Sequence, residues 1–112
     1  MSTGNRSERR RVCFVMRARA ATLEEYKRRH ADVWPEMLDA LARAGWHNYS
    51  LFARADGMVV GYVETDDFEA ALAAMQGEAV NARWQAEMAP LIEIEAAPDA
   101  SMQQLQEIFH VD

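Results

Sequence analysis

The stretch WHNYSLFARADGMVVGYVE, residues 46–64, decides the fold, because it reads as two β-strands joined by a tight turn. Asp56 and Gly57 lie between two runs rich in aromatic and β-branched residues. An Asp-Gly pair in that setting is a strong hairpin signal. The sequence therefore predicts an antiparallel pair of strands over residues 46–53 and 58–64.

The segments on either side of this hairpin each combine a strand with helical patterns. Residues 11–18 (RVCFVMRA) predict a first strand, and residues 22–41 carry apolar side chains at helical spacing. Residues 66–77 and 79–94 continue with helical patterns, and residues 102–111 alternate as a strand does. The order β-α-β-β-α-β predicts the α+β class, as a ferredoxin-like sandwich of the dimeric α+β barrel type.

Local signals set the expected boundaries and orientations. Thr22 with Glu25, and Asp66 with Glu69, have the spacing of a capping box at a helix start. Pro35 falls inside the first helical pattern and cannot donate to the preceding turn, so we expect the helix to kink or restart there. In the last strand, the alternation predicts an inward-facing set: Gln103, Leu105, Glu107, Phe109 and Val111.

The composition bounds the chain to one domain. Its 112 residues are 50% hydrophobic, which suits a single core over residues 11–112. Residues 1–10 are polar and basic without an apolar period, which predicts a disordered tail, with a nucleic-acid-binding arm as the weaker alternative. The formal net charge of −6 disfavours a nucleic acid or an anionic membrane as partner.

Three further features concern environment and assembly. Cys13 is the single cysteine and lies in an apolar run, so we expect a buried core residue rather than a nucleophile. No apolar stretch approaches the roughly 20 residues that span a membrane, and the N-terminus lacks a signal-peptide region, which predicts a cytoplasmic protein. A sheet with helices on one face leaves the other for water, ligand or a second subunit, and we expect a homodimer.

Aromatic and histidine side chains cluster in the first half of the chain. Tyr26, His30 and Trp34 follow at four-residue spacing on one side of a helix, and His47 and Tyr49, two apart, are predicted to share one face of a strand. These residue types bind sugars and move protons. Spacing alone leaves the alternative open, because a tyrosine and a histidine on an apolar stripe are more often core residues.

The remaining sequence motifs argue mainly against particular metal and cofactor sites. The three histidines have no zinc-site spacing, and the sequence has no GxGxxG, P-loop or GxSxG element, so a reaction without metal or cofactor is favoured. Trp84 suits stacking on a sugar ring, although a helical tryptophan is more often part of the core.

Four blocks resemble one known family. The segments EEYKRRHADVWPEM, GWHNYSLF, NARW and LQEIFHVD together closely resemble the L-rhamnose mutarotase family, over a match from about Arg11 to the end of the chain. The resemblance implies a dimeric ferredoxin-like fold and interconversion of the α and β anomers of L-rhamnose, with a monosaccharide as the bound partner and no metal or cofactor.

The resemblance also implies residue roles. By matching position, His30 is similar to the family's proton donor, and Tyr26, Tyr49 and Trp84 to its sugar-contacting residues, whereas Trp34 beside Pro35 is expected to be architectural. Well-known members carry a second tryptophan where this chain has Gln85, which we also assign to substrate binding. Residues 97–101 shorten the family's segment before the last strand. Both departures fall at the expected pocket rim, so L-fucose or a related 6-deoxyhexose remains an alternative substrate.

The expected mechanism is general acid-base catalysis. His30 as imidazolium would protonate the ring oxygen, while a tyrosine hydroxyl or a water assists at the anomeric hydroxyl. Two alternatives stay open: a small cofactor-free α+β-barrel monooxygenase acting on a quinol-like or aromatic substrate, and a non-catalytic sugar-binding module.

Overall fold

An antiparallel sheet with helices on one face forms the described part of the molecule. The computed structural model describes residues 9–93 and 102–112. Its strands are β1 Arg10–Arg17, β2 His47–Ala53, β3 Met58–Thr65 and β4 Gln103–Leu105. Its helices are α1 Leu23–His30, α2 Pro35–Arg43, α3 Phe68–Gln76 and α4 Ala79–Met88, with 3-10 turns at Ala20–Thr22 and Ala89–Leu91. The sheet order β2-β3-β1-β4 places the first and third strands centrally, which confirms the ferredoxin-like prediction.

The turn between β2 and β3 forms where it was predicted. Asp56 accepts a hydrogen bond from the Met58 N–H at 3.1 Å and two more from the Arg54 guanidinium. Gly57 has a φ of +99°, in the left-handed region that favours glycine. Its carbonyl accepts from the Ala18 N–H at 2.8 Å, so the turn is also tied to the end of β1.

The first helical pattern restarts at Pro35, as expected. Helix α1 ends at His30, and α2 begins with Pro35 at its first position. Trp34 adopts an extended conformation between them, with φ −58° and ψ 138°, because a residue before proline avoids the helical region. The break places His30, which is half-buried, at the end of α1.

Both capping-box predictions were wrong in detail. The Thr22 hydroxyl is buried without a hydrogen bond among the described residues, and Glu25 bonds Arg28 and Arg29 instead of turning back to the helix start. Two arginines one turn further along therefore draw the carboxylate away. Helix α3 is capped by Asp67, one residue later than predicted, whose carboxylate accepts from the Ala70 N–H at 3.2 Å.

The core lies between the sheet and the helices. Along β3, Val59, Gly61 and Val63 are buried toward this layer. Phe14 of β1 is fully buried, and its ring lies 5.7 Å from that of Phe68, 6.2 Å from that of Tyr49 and 6.5 Å from that of Trp46. These rings tie β1, β2 and α3 into one aromatic cluster, which we call the Phe14 cluster.

The predicted last strand is shorter than expected, and the inward-facing set was wrong. Only Gln103–Leu105 pairs with β1, and Leu105 lies opposite Cys13 on the face that the helices leave open. Leu105, Phe109 and Val111 are 53%, 79% and 73% exposed. Among residues 9–93 and 102–112 no second layer covers this face, so alternation could not bury these side chains.

Cys13 was predicted to be a core residue, and this was also wrong. Its side chain is half-buried, because its position in β1 alternates with that of Phe14 and so points to the open face. Residues 1–8 of the predicted tail and the shortened segment 97–101 lie outside the described residues, while Arg10 begins β1. None of the helices in the described ranges has the length and the apolar composition of a membrane span.

Candidate active site

A cavity of about 480 Å³ opens between the sheet and the helices α1, α2 and α4. Its volume falls in the range of small-molecule sites, and most of its lining is apolar. Each site residue predicted from the sequence lines it: Tyr26, His30, Tyr49, Trp84 and Gln85. Residues from three separate segments therefore meet in one enclosure.

His30 is the titratable group best placed for proton transfer. Its Nδ1 lies 2.8 Å from the carbonyl oxygen of Tyr26, one turn earlier in α1. A carbonyl oxygen only accepts, so Nδ1 carries the hydrogen and Nε2 is the nitrogen left for a ligand. Burial lowers the pKa of His30, and the hydrogen bond to Tyr26 opposes this shift. The neutral imidazole therefore predominates at neutral pH.

Aromatic rings surround His30. The Tyr26 ring lies 4.4 Å from it, and Trp84 meets it edge-on at 5.3 Å and 90°. Trp34 packs edge-on against Trp84 at 5.1 Å, and the guanidinium of Arg83 lies 5.6 Å from the centre of the Trp34 ring. Trp34 does not line the cavity. It contacts Trp84 instead, and an architectural role for Trp34 stays a prediction.

The two cavity tyrosines differ in origin. Tyr26 is 6% exposed, and burial raises its pKa to about 12, so its hydroxyl stays protonated. Tyr49 enters from β2, where its ring lies 4.9 Å from that of Trp46. Its position is therefore set by the Phe14 cluster rather than by α1.

His47 was predicted to share a face with Tyr49, and this was wrong. The strand pairing matches His47 with Glu64 and Ser50 with Tyr62, which leaves one extra residue in β2. Asn48, with φ +49°, lies in this bulge. A bulge breaks the alternation of side chains, so His47 follows Glu64 to the open face.

The L-rhamnose mutarotase family model matches residues 11–111 of the chain. The chain belongs to the L-rhamnose mutarotase family. It is 36% identical over 104 residues to the L-rhamnose mutarotase of Bacillus subtilis, a match that covers 92% of this chain and 99% of the relative. It is 37% identical over 105 residues to that of Opitutus terrae, covering 91% and 98%.

A solved structure supports the fold of this mutarotase family member. The crystal structure of an L-rhamnose mutarotase from Formosa agariphila superposes with a TM-score of 0.76 at 23% identity, over 92% of this chain and 99% of that one. The chain is thus an enzyme of the isomerase class that interconverts the anomers of a carbohydrate. The comparisons give no support to the monooxygenase or binding-module alternatives.

One polar residue of the mutarotase cavity was not predicted. Asn81 of α4 lines the cavity at 4% exposure, and its Oδ1 accepts from the Gln85 amide at 3.1 Å. The signal was present in the sequence, since Asn81 precedes Trp84 by three residues and Gln85 by four and so shares their helix face. Among the described residues, no group of three or more histidine, cysteine, aspartate or glutamate side chains could hold a metal ion.

Proposed function

We propose that the chain interconverts the α and β anomers of L-rhamnose in this cavity and that His30 transfers the proton at the ring oxygen. The observation that carries the proposal is the hydrogen bond from His30 Nδ1 to the Tyr26 carbonyl. It fixes the ring and leaves Nε2 for the sugar, within a cavity that also contains Trp84. A related 6-deoxyhexose is an alternative substrate of the same chemistry.

The proton balance requires a donor and an acceptor. In ring opening, the imidazolium of His30 gives its Nε2 proton to the ring oxygen, the bond from that oxygen to the anomeric carbon breaks, and the anomeric hydroxyl loses its proton to water. The open-chain aldehyde then rotates about the bond next to its carbonyl carbon. In closure, neutral His30 takes the proton back from the attacking hydroxyl, and the new anomeric oxygen regains one from water. His30 therefore ends each turnover as it began.

The pKa shifts of His30 and Tyr26 suit a proton donor and a hydrogen-bond donor, respectively. Burial lowers the pKa of His30, which makes its imidazolium a stronger acid toward the weakly basic ring oxygen, at the expense of its population. Tyr26, whose pKa is raised to about 12, keeps its hydrogen and acts as a hydrogen-bond donor that orients the anomeric region. Water is accordingly the partner at the anomeric hydroxyl.

The remaining cavity residues bind the sugar. Trp84 offers an aromatic surface for the C–H face of the pyranose, and its ring is held in place by Trp34. Tyr49 of β2 and Gln85, which follows Trp84 in α4, contribute polar groups to the cavity lining. A single positioned acid supplies roughly 10²–10⁴-fold, which is sufficient for a reaction that already proceeds in water.

The test is NMR magnetisation exchange between the anomeric protons of L-rhamnose. We expect acceleration by the wild type and a loss of about 10²-fold or more in His30→Gln, because glutamine retains polarity but transfers no proton. Lys27→Gln, a change to glutamine at an exposed residue of α1 that does not line the cavity, is the matched control and should match the wild type. No acceleration by the wild type on any 6-deoxyhexose refutes the function; full activity of His30→Gln refutes only the role of His30.

We also propose that the chain works as a homodimer through the open face of the sheet. The half-buried side chains of Val15, Val60 and Tyr62 lie there, and Phe52 is 62% exposed. Apolar side chains of the last residues add to it, with Ile108 at 89% exposure. Monomers rarely leave so many large apolar groups together in water.

A cytoplasmic location stays a prediction from the single cysteine.

Solution mass tests the dimer directly. Sedimentation should give twice the chain mass for the wild type and the monomer mass for Phe52→Asp, because the new charge would be buried between subunits. Glu24→Lys, an exposed change on α1, should leave the mass at that of a dimer. A monomeric wild type at micromolar concentration would refute this assembly.

A further inference from the structure

Two amide side chains interrupt the mainly apolar wall that α4 contributes to the cavity. Asn81 and Gln85 are one helical turn apart, and both line the cavity together with Trp84 and Met88. Asn81 is 4% exposed, and Gln85 is half-buried. Burying an amide costs free energy unless its polar atoms find partners, so this pair needs an explanation.

The first partner of Gln85 is Asn81. Gln85 Nε2 donates to Asn81 Oδ1 at 3.1 Å. This bond decides which end of the Gln85 amide turns toward Asn81, and it directs the carbonyl oxygen, Oε1, away from it. Oε1 makes no hydrogen bond with the residues in the ranges 9–93 and 102–112. The cavity wall thus presents an oriented acceptor.

We propose that Gln85 Oε1 accepts a hydrogen bond from one ring hydroxyl of the sugar and that Asn81 is the positioning residue that holds it ready. The proposal rests on the proposed function, since it concerns the same cavity. An acceptor held in one orientation selects a hydroxyl and rejects a sugar that lacks it. Asn81 and Gln85 together therefore form a specificity-determining pair. The hydroxyl that they recognise is not one of the reacting groups.

Positioning has a physical benefit that a purely structural amide would not give. A free glutamine side chain has several rotamers, and fixing it on binding costs conformational entropy. The bond to Asn81 fixes it before the sugar arrives. Loss of Asn81 should therefore weaken ground-state and transition-state binding alike, which raises KM and leaves kcat nearly unchanged.

A double-mutant cycle on the full chain tests this coupling. Gln85→Met keeps the length of the side chain without its polar atoms, and Asn81→Leu keeps its approximate shape. With L-rhamnose in the NMR exchange assay, we expect Gln85→Met to raise KM about tenfold with kcat within about twofold, and Asn81→Leu to raise it by part of that factor. The double variant should be no worse than Gln85→Met alone, because Asn81 acts through Gln85.

Controls separate positioning from folding. Gln76→Met, an exposed glutamine at the end of α3, should leave both KM and kcat unchanged. Asn81→Asp retains the oxygen that accepts from Gln85 and should keep KM within about threefold of wild type, which also serves if Asn81→Leu does not fold. The positioning role is overturned if the increases in KM of Asn81→Leu and Gln85→Met multiply fully in the double variant. It is also overturned if Asn81→Asp raises KM as much as Gln85→Met does.

A substrate series tests the hydroxyl itself. The wild type is tested on the 2-deoxy, 3-deoxy and 4-deoxy forms of L-rhamnose. For one of these analogues its kcat/KM should be about tenfold lower than for L-rhamnose, whereas Gln85→Met should use that analogue and L-rhamnose equally well. Equal discrimination by both enzymes on every analogue overturns the proposal. A wild type that accelerates no sugar refutes the proposed function as a whole, whereas an active wild type with an unaffected Gln85→Met refutes only this inference.

Discussion

The substitution Gly61→Ala adds one methyl group at a point of the sheet that Phe14 already fills. The pairing of β1 with β3 sets Gly61 directly opposite Phe14 on the core face. A Cβ at residue 61 would lie 2.3 Å from Cζ and 2.4 Å from Cε1 of the ring. Carbon atoms in contact are about 3.5–4.0 Å apart, so the ring would have to retreat by about 1 Å.

The ring has little room for that movement. Phe14 is fully buried, and Trp46, Tyr49 and Phe68 pack around it. Overpacking a core costs about 1–3 kcal/mol, occasionally more, while replacing glycine in a strand returns about 0.5–1 kcal/mol of backbone entropy. The difference is a net loss of stability of about 1 kcal/mol, and at most about 2.5 kcal/mol. Tyr49 packs against the Phe14 ring and also lines the cavity. A displaced ring should therefore move Tyr49 and raise KM for the sugar as well.

Urea unfolding followed by tryptophan fluorescence measures this loss. The midpoint should fall at an unchanged slope, because one added methyl group hardly changes the surface that is exposed on unfolding. Gly77→Ala is the matched control: an added Cβ there would meet nothing closer than 3.6 Å, so its stability should stay within about 0.5 kcal/mol of wild type. If Gly61→Ala is equally neutral, the packing argument is wrong.

Three further predictions concern the cavity. Burial lowers the pKa of His30, so the imidazolium is lost as pH rises through a value below the ordinary one, and the exchange rate should fall over that range; a rate that rises there in a pH profile would make His30 the base. Trp84→Leu should raise KM for L-rhamnose about tenfold, and Trp34→Leu less, because Trp34 acts only through Trp84; equal losses in the exchange assay contradict this order. Tyr26→Phe should lower the rate without moving the pH profile, since its hydroxyl keeps its hydrogen up to a pH of about 12; a displaced profile would show that the two groups titrate together.

Local signals in the sequence predicted much of the fold. The Asp56 and Gly57 turn and the restart at Pro35 depend on conformations of a few neighbouring residues, so the sequence contains what decides them. The Thr22 capping box failed because Glu25 had competing partners in Arg28 and Arg29. Short-range sequence patterns indicate which hydrogen bonds a side chain can form, but not which of them is the most stable.

The site was less predictable than the fold. Tyr26 and His30 share a helix, so spacing placed them together, but only the family resemblance distinguished a proton donor from a core histidine. His47 was misplaced because the bulge in β2 depends on pairing with β3, which spacing along one strand does not reveal. Asn81 was missed because its burial depends on how α4 packs over the sheet.

Alternation along β1 and β3 separates two surfaces that share one backbone. Phe14 and Gly61 face the cavity layer, whereas their neighbours Cys13 and Tyr62 face away from it. A directed-evolution library that randomises only every second residue of these strands can therefore be directed at the layer beneath the helices while leaving the open face, the proposed subunit interface, unchanged. A second library on the other positions does the reverse. Gains from the two libraries should then combine with little interference.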